Sequence, residues 1–126
     1  MKHFLQQALR FMSYIFWTML IIATALMLIE LAPKEDGWPY WDKLQHVVVF
    51  VILTLAGCLA FPQKRLRVGL SLIAFGALIE IVQGALTITR KASVYDWLAD
   101  IAGILIAAGI FAVLQKKFAS NSLGEK

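Results

Sequence analysis

The stretch VGLSLIAFGALIEIVQGAL, residues 68–86, decides the fold. It is long enough to cross a hydrocarbon core about 30 Å thick, which takes roughly 17 to 25 helical residues, and its single ionisable side chain is Glu80. Working outward, residues 11–31, 44–61 and 97–114 are apolar runs of the same kind. Hydrocarbon offers no water to satisfy backbone N–H and C=O groups, so a segment of this kind crosses as a helix. Three short hydrophilic connectors separate the runs: 32–43 with Pro33, Gly37 and Pro39, then 62–67, then 87–96. The expected fold is an all-α membrane protein, four transmembrane helices in an antiparallel bundle forming one domain, with residues 115–126 as a polar cytoplasmic tail.

Composition points the same way. The chain has 126 residues, 60% hydrophobic and 16% charged, against about one quarter charged in soluble proteins. A water-soluble domain this short cannot hide so much apolar surface. The net charge of +4 does not indicate nucleic acid, because the basic residues sit in short clusters at the ends of the apolar runs. Cys58 is the one cysteine, which excludes an internal disulfide and a cysteine metal site.

The first run, with Lys2, His3 and Arg10 ahead of it and Ala23, Thr24 and Ala25 within it, imitates a signal peptide. It continues through Met27, Leu28 and Leu31, longer than a signal peptide's apolar region, so a retained helix is expected. Basic residues of short loops stay on the cytoplasmic side. With the N-terminus inside, Lys2, Arg10, Lys64, Arg65, Arg67, Lys116, Lys117 and Lys126 lie inside, against Lys34, Lys43, Arg90 and Lys91 outside. Both termini are therefore expected in the cytoplasm. Trp38, Tyr40, Trp41, Tyr95 and Trp97 would form an outer interfacial belt. The acidic residues, Glu125 apart, also map to the outer boundary, and the orientation rule does not explain that.

Three polar groups come from three helix ends. DKLQH at 42–46 opens the second helix and puts Asp42 and His46 four apart on one face. EIVQ at 80–83 puts Glu80 and Gln83 on one face near the end of the third. Arg90, Ser93, Asp96 and Asp100 follow across the outer loop and into the fourth. Ionisable groups in apolar segments are costly and face a protein interior or a watery cavity with a partner. An antiparallel bundle would gather them in one layer. Ala99, Gly103 and Ala107 on the fourth helix, and Gly76 and Gly84 flanking Glu80 on the third, form small-residue stripes that allow close helix approach.

Each residue also has a plain structural role open to it. Asp42 and Asp96 suit helix N-termini as caps, Lys43 and Lys91 suit solvated or snorkelling positions, His46 can serve as a hydrogen-bonding residue, and Glu80 with Arg90 can be a buried structural pair. No metal is expected from His46, Asp42, Glu80 and Asp100, which lack soft ligands and tight spacing. Glycine-rich phosphate loops and nucleophile elbows are absent, Ser93 carries no activating signature, and no cofactor is expected.

The order Asp42-Lys43-x-x-His46, then Glu80-x-x-Gln83, then Arg90-x-x-Ser93-x-x-Asp96 and a last helix with Gly103 resembles the VanZ-like family of small bacterial membrane proteins, over roughly residues 42 to 106. The family pattern has Asn where this chain has Asp100. The resemblance implies a cell-envelope setting and a link to glycopeptide antibiotic resistance, teicoplanin in particular, and it implies no settled reaction.

The leading expectation is a cytoplasmic-membrane protein whose outer-face pocket binds, and in one version modifies, an envelope lipid, glycan or peptide headgroup. His46 and Glu80 are the candidates for acid–base work, Arg90 is the anion holder, and Asp42, Gln83, Ser93, Asp96 and Asp100 complete the pocket. The alternative is a non-enzymatic subunit docking onto an envelope protein. A proton- or ion-coupled transporter fits less well, because the polar residues do not continue to the inner side.

Overall fold

A computed structural model describes residues 1–29, 38–86, 88 and 91–124, with 121–124 by backbone alone. The described residues form four helices and no strand: α1 (Lys2–Leu28), α2 (Trp41–Ala60), α3 (Arg65–Leu86) and α4 (Val94–Gly124). All four are long and apolar enough to cross a membrane. Leu31, expected to end the first helix, lies outside the described residues.

The helices outrun the apolar stretches that announce them. α1 begins at Lys2 and not near Phe11, because Lys, Leu, Gln, Ala and Arg in its first turns are all good helix formers. α4 continues past Leu114 to Gly124, so much of the expected polar tail is helical. At 1.5 Å per residue its 31 residues measure about 46 Å, longer than a hydrocarbon core of about 30 Å. α2, with 20 residues, is about 30 Å long and matches that core. It stops before Pro62, whose ring disfavours helical geometry in the preceding residue, and Phe61 accordingly takes φ −127°, ψ 63°. Lys64 N–H then bonds Phe61 C=O and Val68 N–H bonds Lys64 C=O, starting α3.

α2 is the hub. It packs on each of the other three helices, most extensively on α4, whereas α1 and α4 do not meet among the described residues. Its buried side chains, among them His46, Phe50, Leu53, Thr54 and Cys58, face inward. Phe16, Ala23 and Met27 of α1, Val68, Leu72 and Ile79 of α3, and Ile104 of α4 complete the apolar core. The small-residue stripes lie at close approaches. A Cβ on Gly103 would stand 2.5 Å from Val47 O, and one on Gly76 would stand 2.5 Å from Asp100 Oδ2. On the outside, Ile21, Leu26, Leu70, Leu78, Ile81, Leu105 and Val113 are exposed, a surface that lipid accepts and water does not.

Trp38, Tyr40, Trp41 and Tyr95 are exposed at the starts of α2 and α4, as an aromatic belt requires. Trp97 is half-buried beside them. Its indole Nε1–H donates to the Ile73 carbonyl of α3 at 3.0 Å, so it is turned inward as a tie between two helices. A tryptophan needs one polar partner when buried, and a neighbouring backbone carbonyl supplies it.

Candidate functional site

The first turns of α2, the last turns of α3 and the first turns of α4 bring the sequence-selected residues into one layer. His46 Nδ1 lies 2.8 Å from Asp100 Oδ1, and these residues are 3% and 0% exposed. Lys43 Nζ pairs with Asp96 Oδ1 at 3.2 Å. Both contacts join α2 to α4, one turn apart, so the sequence spacings of three on α2 and four on α4 run side by side.

The start of α4 shows why the layer has this order. Ser93 precedes its first helical residue, and Ser93 Oγ accepts the Asp96 N–H at 3.2 Å, a side-chain N-cap. In a capping box the acid three residues on would reach back to the cap residue's own N–H. Here Glu80 of α3 takes that place, its Oε2 accepting the Ser93 N–H at 2.8 Å, and Asp96 is left for Lys43. A carboxylate in that position also meets the positive end of the α4 dipole. The capping role expected of Asp96 therefore belongs to Ser93. Asp42 lies inside the first turn of α2, whose N-cap position is Tyr40, so its contribution there is charge toward the dipole.

Gln83 is buried, and its Nε2 donates to the Met27 carbonyl at 2.6 Å, tying α3 to the last turns of α1. Arg90 and its expected pairing with Glu80 lie outside the described residues. Lys43, expected as a solvated or snorkelling residue, instead forms the ion pair with Asp96. The sequence carried a signal for it, since Lys43 and Asp96 occupy equivalent first-turn positions of two helices that a small-residue stripe brings together.

Two carboxylate oxygens remain. Glu80 Oε1 and Asp100 Oδ2 are buried without a hydrogen-bond partner among the described residues. Asp100 Oδ2 is directed at the bare Cα of Gly76, one turn before Glu80 on α3. Two groups of three residues bring potential metal-ligating atoms within 4.8 Å of one another: His46, Glu80 and Asp100, all buried, and Asp42, His46 and Asp96. His46, Asp42, Glu80 and Asp100 stood together in the sequence as conceivable ligands from which no metal was expected, because ligands on different helices show no tight spacing along the chain.

Beside the layer, a groove of about 360 Å³ runs between α1 and α2. Ala23, Met27, Trp41 and Val49 give it apolar walls, and Asp42, Gln45 and His46 give it a polar end. Gln45 is the lining residue that sequence reading passed over; within DKLQH its place beside His46 was the available signal.

Of the acid–base candidates, His46 lines the groove, and Glu80 lies buried in the layer behind it. No family model, curated protein or solved structure matches this chain.

Proposed function

We propose that this chain is a cell-envelope protein of the VanZ-like type, an antiparallel four-helix bundle in the bacterial cytoplasmic membrane with both termini in the cytoplasm, whose outer-face polar layer binds the headgroup of an envelope lipid or lipid-linked glycan or peptide. The observation that carries this reading is the α1–α2 groove, apolar along its length and ending on Asp42, Gln45 and His46. That shape and polarity suit an amphiphile, with its chain against Ala23, Met27 and Val49 and its head at the layer. The gathering of acids with His46 at one end only, together with the K/R bias toward the other, supports an outward-facing site. His46, held by Asp100, and Glu80, held by Ser93, would carry any proton transfer to the headgroup. Arg90 would hold its anionic part. The resemblance extends the reading to glycopeptide resistance.

The test replaces Glu80→Gln and Arg90→Ala separately, confirms membrane insertion, and reads two things: lipids retained by the purified protein, by native mass spectrometry, and teicoplanin susceptibility of a sensitive bacterium expressing it. Both variants are expected to lose retained lipid or the phenotype at normal abundance. Unchanged lipid and phenotype in both would remove the pocket reading. Topology has its own test: cysteines introduced as Asp36→Cys or Lys91→Cys in a Cys58→Ser background are expected to react with an impermeant reagent from outside the cell, and labelling from the cytoplasmic side alone overturns the orientation.

A second reading has a specific observation behind it. The bonds His46–Asp100, Lys43–Asp96, Glu80–Ser93 and Gln83–Met27 each join two different segments, so the layer also serves as a clasp for the fold of a non-enzymatic subunit that docks onto an envelope protein. On that reading the same two substitutions lower abundance first, and a partner protein co-purifies.

A further inference from the structure

We propose that His46, Glu80 and Asp100 form a divalent-cation site, one imidazole nitrogen and two carboxylates from three helices, suited to a first-row transition ion and to Zn²⁺ foremost. The inference goes beyond headgroup binding and does not depend on it.

Charge is the first argument. Within the layer Lys43 is committed to Asp96 at 3.2 Å. Among the described residues, Glu80 and Asp100, 5% and 0% exposed, are a second pair of acids with a single imidazole between them. An isolated buried carboxylate is among the most costly groups a protein can hold in an apolar medium. Two carboxylates, a neutral imidazole and one divalent ion sum to zero charge.

The second argument is the pair of oxygens left over. Each acid uses one oxygen, Glu80 Oε2 on the Ser93 N–H and Asp100 Oδ1 on His46, and each has another that is buried without a partner among the described residues. Buried acceptors of this kind are rare unless something else satisfies them. Ligating carboxylates in metal sites are commonly held by a hydrogen bond to their other oxygen, and Ser93 does this for Glu80.

Geometry is the third. The potential ligand atoms of the three residues lie within 4.8 Å of one another. Zinc–ligand bonds of about 2.0–2.2 Å in a tetrahedral site place neighbouring donors roughly 3.4 Å apart, a spacing that falls within the 4.8 Å spread of these atoms. Gly76 lets Asp100 reach the α3 surface one turn from Glu80. The other three-residue group, Asp42, His46 and Asp96, is the weaker choice because its Asp96 is already neutralised by Lys43. One nitrogen with two carboxylate oxygens is a Zn²⁺ or Mn²⁺ donor set, whereas Mg²⁺ and Ca²⁺ favour oxygen alone.

The experiment uses the full chain in detergent, stripped with a chelator, exposed to Zn²⁺ and desalted, with bound zinc measured by plasma mass spectrometry. About one Zn²⁺ per chain is expected for the wild type. Glu80→Gln, Asp100→Asn and His46→Ala are expected to fall by about tenfold or more, while His3→Ala, at an exposed histidine, keeps its ion. Wild-type zinc no higher than in Glu80→Gln, or zinc lost in His3→Ala, overturns the site. Should the variants fail to fold, Co²⁺ loading of the wild type decides it: visible d–d bands of a low-coordinate nitrogen–oxygen site support the proposal, and the spectrum of hydrated Co²⁺ refutes it. None of these readouts involves a headgroup, so failure here and failure of the headgroup reading are separate results.

Discussion

From its first turn to its last, α2 changes the kind of contact it makes. At the start, Lys43 and His46 reach α4 through directional bonds to Asp96 and Asp100, and the backbones close to where Gly103 meets Val47 O. At the end, Gly57 faces Val68 Cγ1 and the Phe16 ring, and Phe16 packs edge-on against Phe61 with centroids 5.8 Å apart. The first region is held by a few bonds that must all be right, the second by apolar shape. Apolar packing is the cheaper way to join helices in a membrane, as the second region demonstrates. At the other end the same helix joins its neighbours by burying polar groups that must all find partners.

The hardest way to break that comparison is Asp100→Ala. It leaves His46 buried without its hydrogen-bond partner, and a buried polar group left unsatisfied costs about 1–3 kcal/mol, more where a charge is left behind. Thermal unfolding in detergent, followed by circular dichroism, measures it. The double substitution His46→Leu with Asp100→Ala is expected to recover part of the loss, because it removes the orphan along with the pair. A double variant as unstable as the sum of its single variants shows that the two side chains do not act together.

Next in size are the glycines. Gly103→Ala puts a Cβ 2.5 Å from Val47 O and 3.0 Å from Phe50 Cβ, atoms fixed by the α2 backbone, so α2 and α4 must separate at a cost of about 1–3 kcal/mol. Gly57→Ala meets Val68 Cγ1 at 2.6 Å and the Phe16 ring at 3.0 Å, side-chain atoms able to shift, and is expected to cost less. Gly109→Ala meets nothing within 4 Å and serves as the control. Equal losses at Gly103 and Gly57 would erase the distinction between a rigid contact and an adaptable one.

How much of this was legible in the sequence divides along the same line. Residues 68–86 and the other apolar runs announced their helices because lipid solvation demands length and apolarity, and both are visible in the sequence. The stripe of Ala99, Gly103 and Ala107 announced a close contact for a similar reason. The polar layer was visible as a set, since Asp42 with His46 and Glu80 with Gln83 share helix faces. Its pairings were not, because they depend on how far each helix is rotated and how deep it sits. Ser93 caps α4 while Glu80 from another helix takes the Ser93 N–H that a capping box would give to Asp96, and Trp97 found the Ile73 carbonyl of α3. Arg90 and its partner lie outside the described residues.

Ser93→Ala sharpens the comparison at smaller scale. It removes the Oγ that caps α4 but keeps the backbone N–H that Glu80 accepts, so the loss is that of a cap, about 1 kcal/mol. Ser93→Asp, which can also accept the Asp96 N–H, is expected to restore the cap but to place a second acid beside Glu80. If Ser93→Asp is as stable as the wild type, the layer tolerates more negative charge than its composition suggests.

The smallest effect concerns one cation from each end. Lys43 pairs with Asp96 while its side chain is 38% exposed, and exposed pairs of this kind contribute about 0–1 kcal/mol. At the other end, the Arg65 guanidinium lies 4.4 Å from the centroid of the Phe111 ring, a cation–π contact of about 0.5–1 kcal/mol at a partly exposed site. Methionine at either position keeps most of the stem and removes the charge, so Lys43→Met and Arg65→Met are expected to lower stability by similarly small amounts. Their consequences differ beyond stability. Lys43→Met leaves Asp96 without its cation in the layer that already holds Glu80 and Asp100, and it should raise the layer's demand for positive charge and hence its retention of Zn²⁺ after chelation. Arg65→Met changes no acid and should leave that retention as it was. Because the two substitutions are matched in charge, size and stability cost, a difference in metal retention isolates the electrostatics of the polar end, and identical retention would mean that the Lys43–Asp96 pair is electrostatically separate from His46, Glu80 and Asp100.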